Sequence, residues 1–136
     1  IYTSLVLFRT LLNRKLWLNP LSDVCGGWSL WTINANGVRV LTTDSVENVL
    51  MLLPFTMLLM WAAKDKILKK VTFAGIVKSS FKTAFLFSLS IELLQLFLRV
   101  GTFQLSDLCY NILGGIIGGV IYGAVWKIKS RKKMES

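Results

Sequence analysis

The 136-residue sequence predicts an all-α protein, a polytopic bundle of transmembrane helices. Composition is the first reason: 54% of the residues are hydrophobic and 17% charged, against about 45–50% and about 25% in soluble domains. Arrangement is the second, because the apolar runs reach the length, about 20 residues, that a helix needs to cross a hydrocarbon core of ~30 Å. The third is where the charges fall. Lys and Arg cluster beside those runs rather than among aromatics on a polar surface, so the net charge of +9 points to membrane orientation and not to nucleic acid.

Four spans follow in order, within one domain. Residues 1–12 read as the tail of a truncated first span, because the chain opens at Ile1 inside an apolar run. The outer loop after it contains Trp31 to Val40, which alternates apolar and polar residues around Asn36-Gly37, a hairpin signal. Asp44, with Glu47 three residues on, reads as an N-cap opening the second span, 45–63. Pro54 lies inside that span and predicts a kink through its missing N–H. The third span, 79–100, carries Lys82, Glu92, Gln95 and Arg99; the fourth, 108–126, is uncharged and glycine-rich, and a basic tail, 127–136, follows.

Lys64, Lys66, Lys69, Lys70 and Lys78 separate the second and third spans, and Lys127, Lys129, Arg131, Lys132 and Lys133 follow the fourth. By the positive-inside rule both segments are cytoplasmic, so both chain ends lie inside and the loops 9–44 and 101–107 lie outside. Trp17, Trp28 and Trp31 then fall in the outer loop, and Trp61 and Trp126 at inner helix ends, as aromatic belts require.

The absence of His and the presence of only Cys25 and Cys109 exclude a zinc finger, a haem ligand set, a Cys/His nucleophile pair and a CxxC redox motif. No metal or cofactor is expected. The two cysteines are expected as free thiols on the outer side. Function must rest on carboxylates, amides, hydroxyls and cations. Glu92, Gln95 and Arg99 are spaced three and four apart and share a helix face. Ionisable groups inside a span are costly, so they face protein and are candidates for function by default; the alternative is Glu92 as a buried structural partner of Arg99 or an amide.

Asp107 and Asn111 repeat the spacing at the outer end of the fourth span, and Asn48 reaches the same depth from the second. Helix capping by Ser106 or Asp107 and a hydrogen bond from Asn111 would be their structural roles. Together Asn48, Glu92, Gln95, Arg99, Asp107 and Asn111 predict an outward-facing polar pocket, with Glu92 and Asp107 as its candidate acid/base residues. Gly115, Gly119 and Gly123 form a GxxxGxxxG face, and Gly114 with Gly118 a second; both read as helix packing, not as a phosphate loop.

The stretch 88–119 resembles the signature of the VanZ-like family of bacterial membrane proteins, approximately S-x-x-x-E-x-x-Q, a short loop, then D-x-x-x-N-x-x-G-G. Glu92, Gln95, Asp107, Asn111, Gly114 and Gly115 stand at its motif positions without a gap. Residues 47–55 resemble a second signature, an Asn opening a span before a Phe-x-Pro-Phe-Gly-like element, with Leu53 where Ile is common and Thr56 where Gly is usual. Arg9 and Asn19-Pro20 match more weakly, and Arg99 matches no motif position. The resemblance implies a multi-pass protein of the bacterial plasma membrane and cell envelope, in a family whose founding member is associated with antibiotic resistance to the lipoglycopeptide teicoplanin.

Three functional readings result. In the first, the pocket binds an envelope amphiphile: a lipid-linked cell-wall precursor, a membrane lipid headgroup or the lipoglycopeptide. In the second, Glu92 and Asp107 act as an acid/base pair on a lipid-linked substrate. In the third, the glycine faces assemble a homo-oligomer or an envelope complex, with the protein a structural partner.

Overall fold

The computed structural model describes residues 2–8, 21, 24–29, 31–33, 35, 37–41, 43–68, 71–100 and 102–134. A short helix α1 (Tyr2–Leu7) precedes strands β1 (Trp31–Ile33) and β2 (Arg39–Leu41), then helices α2 (Thr43–Ile67), α3 (Phe73–Leu98) and α4 (Leu105–Met134). At ~1.5 Å per residue the three long helices extend roughly 37, 39 and 45 Å, each more than a hydrocarbon core. All three are apolar enough to cross a membrane. Within the segment expected as a truncated first span, 1–12, the described residues hold only the short α1; residues 9–12, with Trp17 and Asn19-Pro20, lie outside the described residues.

Short connections make α2 antiparallel to α3 and α3 antiparallel to α4. The glycines of α4 record the register. Gly114 backs onto Val49 and Gly118 onto Leu53, so α2 and α4 run in parallel. Gly115 backs onto Ala84 and Gly119 onto Ser80, falling along α3 as α4 rises. Helix α4 is therefore the central element, packed on both neighbours, which touch each other much less.

The interior inverts that of a soluble bundle. Among the described residues seven hydrophobic side chains are buried, including Leu52, Met60, Ile76 and Ile91, against eleven polar or charged ones. Large apolar side chains such as Leu58, Trp61, Leu86, Phe97 and Ile128 point outward instead. Water would penalise that exterior, whereas lipid does not. The polar interior is stitched by short bonds. Thr56 Oγ1 donates within reach of the carbonyls of Leu52 and Leu53, both at 3.1 Å, and of Gly115 in α4 at 3.0 Å. Helix α2 continues through Pro54 without interruption.

The helices outrun the apolar spans. Thr72 caps α3, its hydroxyl accepting the Gly75 N–H at 3.1 Å, so α3 starts six residues before the expected 79 and includes Lys78. At the other end α4 carries the basic segment to Met134 as helix, where a tail was expected. Helix α2 begins at Thr43, which puts Asp44 inside the first turn and not at the cap.

Strands β1 and β2 pair antiparallel as a hairpin, with Trp31 opposite Leu41 and Ile33 opposite Arg39. That register leaves an odd number of residues between partners, unlike a two-residue Asn-Gly loop, and Gly37 supplies the positive φ of 75° that the reversal requires. Asn36 itself lies outside the described residues.

Candidate functional site

The end of the bundle at the start of α4 collects its polar groups from three helices. Ser45 and Asn48 come from the first turns of α2, Ser88, Glu92 and Gln95 from the last turns of α3, and Ser106, Asp107 and Asn111 from the opening of α4. Thr102 joins them from the α3–α4 connection. All nine are buried, Glu92 at 2% and Asn111 at 2% exposure. Five of the six candidate ligand-binding residues are thus brought together at one depth.

Arg99 is the exception. Helix α3 closes in a Schellman arrangement, with the Arg99 N–H on Leu96 O at 3.3 Å and the Val100 N–H on Gln95 O at 3.1 Å. Arg99 takes the left-handed position, φ 53° and ψ 31°, and its side chain is exposed. The three-and-four spacing that aligned it with Glu92 and Gln95 holds only while the chain stays helical, and it ends one residue too early.

The connection folds back into the bundle mouth, where the Gln104 N–H donates to Glu92 Oε2 at 3.2 Å. Glu92 therefore anchors the loop through a charge-assisted bond. Asn111 Nδ2 donates to Ser88 Oγ at 3.0 Å, joining α4 to α3. Among the described residues four buried polar atoms of this end have no hydrogen-bond partner: Asn48 Nδ2, Gln95 Oε1, Ser106 Oγ and Asn111 Oδ1. Unsatisfied buried polar groups each cost on the order of 1–3 kcal/mol, and native structures keep few of them outside functional sites. Ser106 and Asp107 both fall inside the first turn of α4, which starts at Leu105, so neither is its N-cap. Asp107 there lies in the first turn of α4, at the positive end of the helix dipole.

Residues 24–28 cover the same end. Val24 O accepts the Leu105 N–H at 3.0 Å, and Trp28 O accepts the Tyr110 hydroxyl at 3.1 Å, with the two rings 6.5 Å apart. Gly27, at φ 76°, lies so close over Ser106 that a Cβ there would collide with its hydroxyl. Cys25 and Cys109, both exposed, are free thiols.

The packing candidates divide by face. Gly114 and Gly118 meet backbone of α2, while Gly115, Gly119 and Gly123 meet Ala84, Ser80 and Phe73 of α3. Both glycine faces are thereby occupied within a single chain. Sequence reasoning gave no place in the site to the small hydroxyls, Ser45, Thr56, Ser80, Ser88, Thr102 and Ser106, all buried here, although Ser88 opens the motif of residues 88–119 and Ser106 reads as a candidate cap. Ser80 and Ser88 recur eight residues apart, two helical turns, with Ala84 between them; that stripe of small residues was the available signal.

No solved structure matches the chain. Protein VanZ of Enterococcus faecium is 26% identical over 92 residues, covering 68% of this chain and 52% of that protein, so the chain spans about half the length of this curated relative. The family model described as VanZ/LLP1 matches residues 3–127, nearly the whole length. Carrying that match together with three helices fit to cross a membrane, the chain belongs to the VanZ/LLP1 family of proteins and is one of its members with apolar, membrane-spanning helices.

Proposed function

We propose that this protein resides in the bacterial plasma membrane and binds an amphiphilic envelope ligand at the polar end of its bundle. Lipid-linked cell-wall precursors, lipid headgroups and the lipoglycopeptide teicoplanin share the required chemistry, an amide- or amine-bearing polar head on an apolar chain. The observation that carries the reading is the convergence of buried polar atoms without partners, Asn48 Nδ2 and Asn111 Oδ1, beside the carboxylates of Glu92 and Asp107. Asn48 would donate to a ligand carbonyl and Asn111 would accept from an amide. Glu92 and Asp107 would receive amine or amide N–H groups. Apolar flanks such as Phe97 and Leu98, exposed at the same end, would take the chain.

The test is teicoplanin and vancomycin susceptibility of a sensitive Gram-positive host expressing the protein, beside Glu92→Gln at matched membrane abundance. Glutamine keeps an oxygen for the Gln104 N–H and removes only the charge. Selective teicoplanin protection that disappears in the variant supports the reading; protection that survives it assigns Glu92 to loop anchoring alone, and no protection from either form moves the search to a native envelope lipid.

A second reading has one observation in its favour. Glu92 and Asp107 are two buried carboxylates in unlike settings, one bonded to a loop amide and one in the first turn of α4, as an acid/base pair requires. Turnover of a lipid-linked substrate by purified protein in lipid would select it over binding. Assembly through the glycine faces has less support, because α2 and α3 already fill them.

A further inference from the structure

The opposite end of the bundle carries a second candidate site, independent of the polar one. Lys127 and Arg131, one turn apart on α4, line a groove of about 340 Å³ whose other walls are Phe73, Ala124 and Ile128. Two cations thus face an apolar trough. The chemistry that fits both is an anion attached to hydrocarbon.

Position argues for the same ligand. Helix α4 extends roughly 45 Å, more than the ~30 Å hydrocarbon core, so its last turns emerge at headgroup level. Trp126, beside Lys127, marks that boundary as aromatic belts do. Phe73 is also the first residue of α3, so the positive end of a 26-residue helix dipole meets the groove. Among the described residues the acid of this end is Asp65, which Lys64 already engages at 2.8 Å. Among the described residues no acid lines the groove, so Lys127 and Arg131 present their charge to it without a carboxylate opposite them.

We propose that this groove holds an anionic phospholipid, its phosphate between Lys127 and Arg131 and an acyl chain along Phe73, Ala124 and Ile128. Arginine offers the forked donors that a phosphate accepts, and Lys127 adds a point charge. The site concerns lipid association alone and stands whether or not the polar end binds a ligand.

The test is native mass spectrometry of the whole chain, released from nanodiscs that contain phosphatidylglycerol and phosphatidylcholine. Three proteins are compared: the parent, Lys127→Gln with Arg131→Gln, and Lys129→Gln with Lys132→Gln, which removes the same charge away from the groove. Each basic residue near an anionic surface contributes about fivefold, so the groove variant, which loses two, should retain phosphatidylglycerol roughly 25-fold more weakly. The control should stay near the parent. Equal losses in both variants would make the attraction a diffuse property of the basic helix and overturn the site. So would equal retention of phosphatidylcholine, or displacement of the lipid by millimolar inorganic phosphate.

Discussion

Gly114→Ala adds a single methyl group where none can be received. Its Cβ would lie 2.8 Å from the Val49 carbonyl carbon and 3.0 Å from Val49 Cα, with the carbonyl oxygen closer still. These are backbone atoms of α2, so no rotamer change relieves the contact and the helices must part by roughly an ångström. A gap of ~0.5–1 Å forfeits a quarter to a half of each dispersion contact along the seam, and overpacking of this kind costs about 1–3 kcal/mol. Alanine returns about 1 kcal/mol of helix propensity, leaving a net loss near 2 kcal/mol at the upper part of that range. Gly123→Ala is the matched control. Its Cβ crowds the Phe73 ring, at 2.9 and 3.0 Å, on a side chain that is 38% exposed and able to swing aside, and meets Ile76 Cγ2 at an ordinary van der Waals distance of 3.7 Å. Thermal unfolding in mild detergent, followed by loss of the monodisperse chromatographic peak, should rank Gly114→Ala well below the parent and Gly123→Ala at or above it. A Gly114→Ala protein as stable as the parent, or a Gly123→Ala protein equally damaged, would refute the register of α2 against α4.

Thr56→Val keeps the branched shape while deleting the hydroxyl that reaches Gly115 O at 3.0 Å. The same assay should show a loss of about 1 kcal/mol, the usual worth of one hydrogen bond between membrane helices. Asn48→Leu should move stability and function in opposite directions, because it replaces a buried donor that has no partner with a side chain of similar volume. Unfolding should come at the same or a higher temperature, while ligand-dependent protection of a host should fall to the uninduced level.

The long helices were legible because membrane spans announce themselves in hydropathy and length, and the basic clusters bracket them. Their ends were not. A span stops where charges begin, but a helix stops where its backbone groups find other partners, so Thr72 starts α3 well before Lys78 leaves the apolar run. The same difference misplaced Arg99, whose periodic spacing ignores the left-handed turn that closes α3. Asn48, Glu92, Gln95, Asp107 and Asn111 could be placed at one depth because amides and carboxylates are rare enough in a span to stand out. Serines and threonines are not rare there, so the partnership of Ser88 with Asn111, or of Thr56 with Gly115, needed the register of the helices before it could be seen. The segment 24–28 gave no signal at all, since its bonds to α4 run through backbone carbonyls that any sequence possesses.

Packing and site are joined at particular residues. Gly114 lies one turn beyond Asn111 on α4, and its contact, Val49, is the neighbour of Asn48 on α2. The absence of a side chain at Gly114 therefore sets how near Asn48 comes to Asn111. On the other face Gly115 meets Ala84, one turn from Ser88, which holds the Asn111 amide. In lipid, no hydrophobic force draws these helices together, so close approach through glycine must supply dispersion energy enough to offset polar groups left unsatisfied. A bundle whose only requirement was stability would pair those groups or replace them with leucine. Retaining them beside Gly114 and Gly115, where α4 is held against both neighbours, makes the glycine faces and the polar end one device, in which tight packing fixes the positions of atoms that are still waiting for a partner.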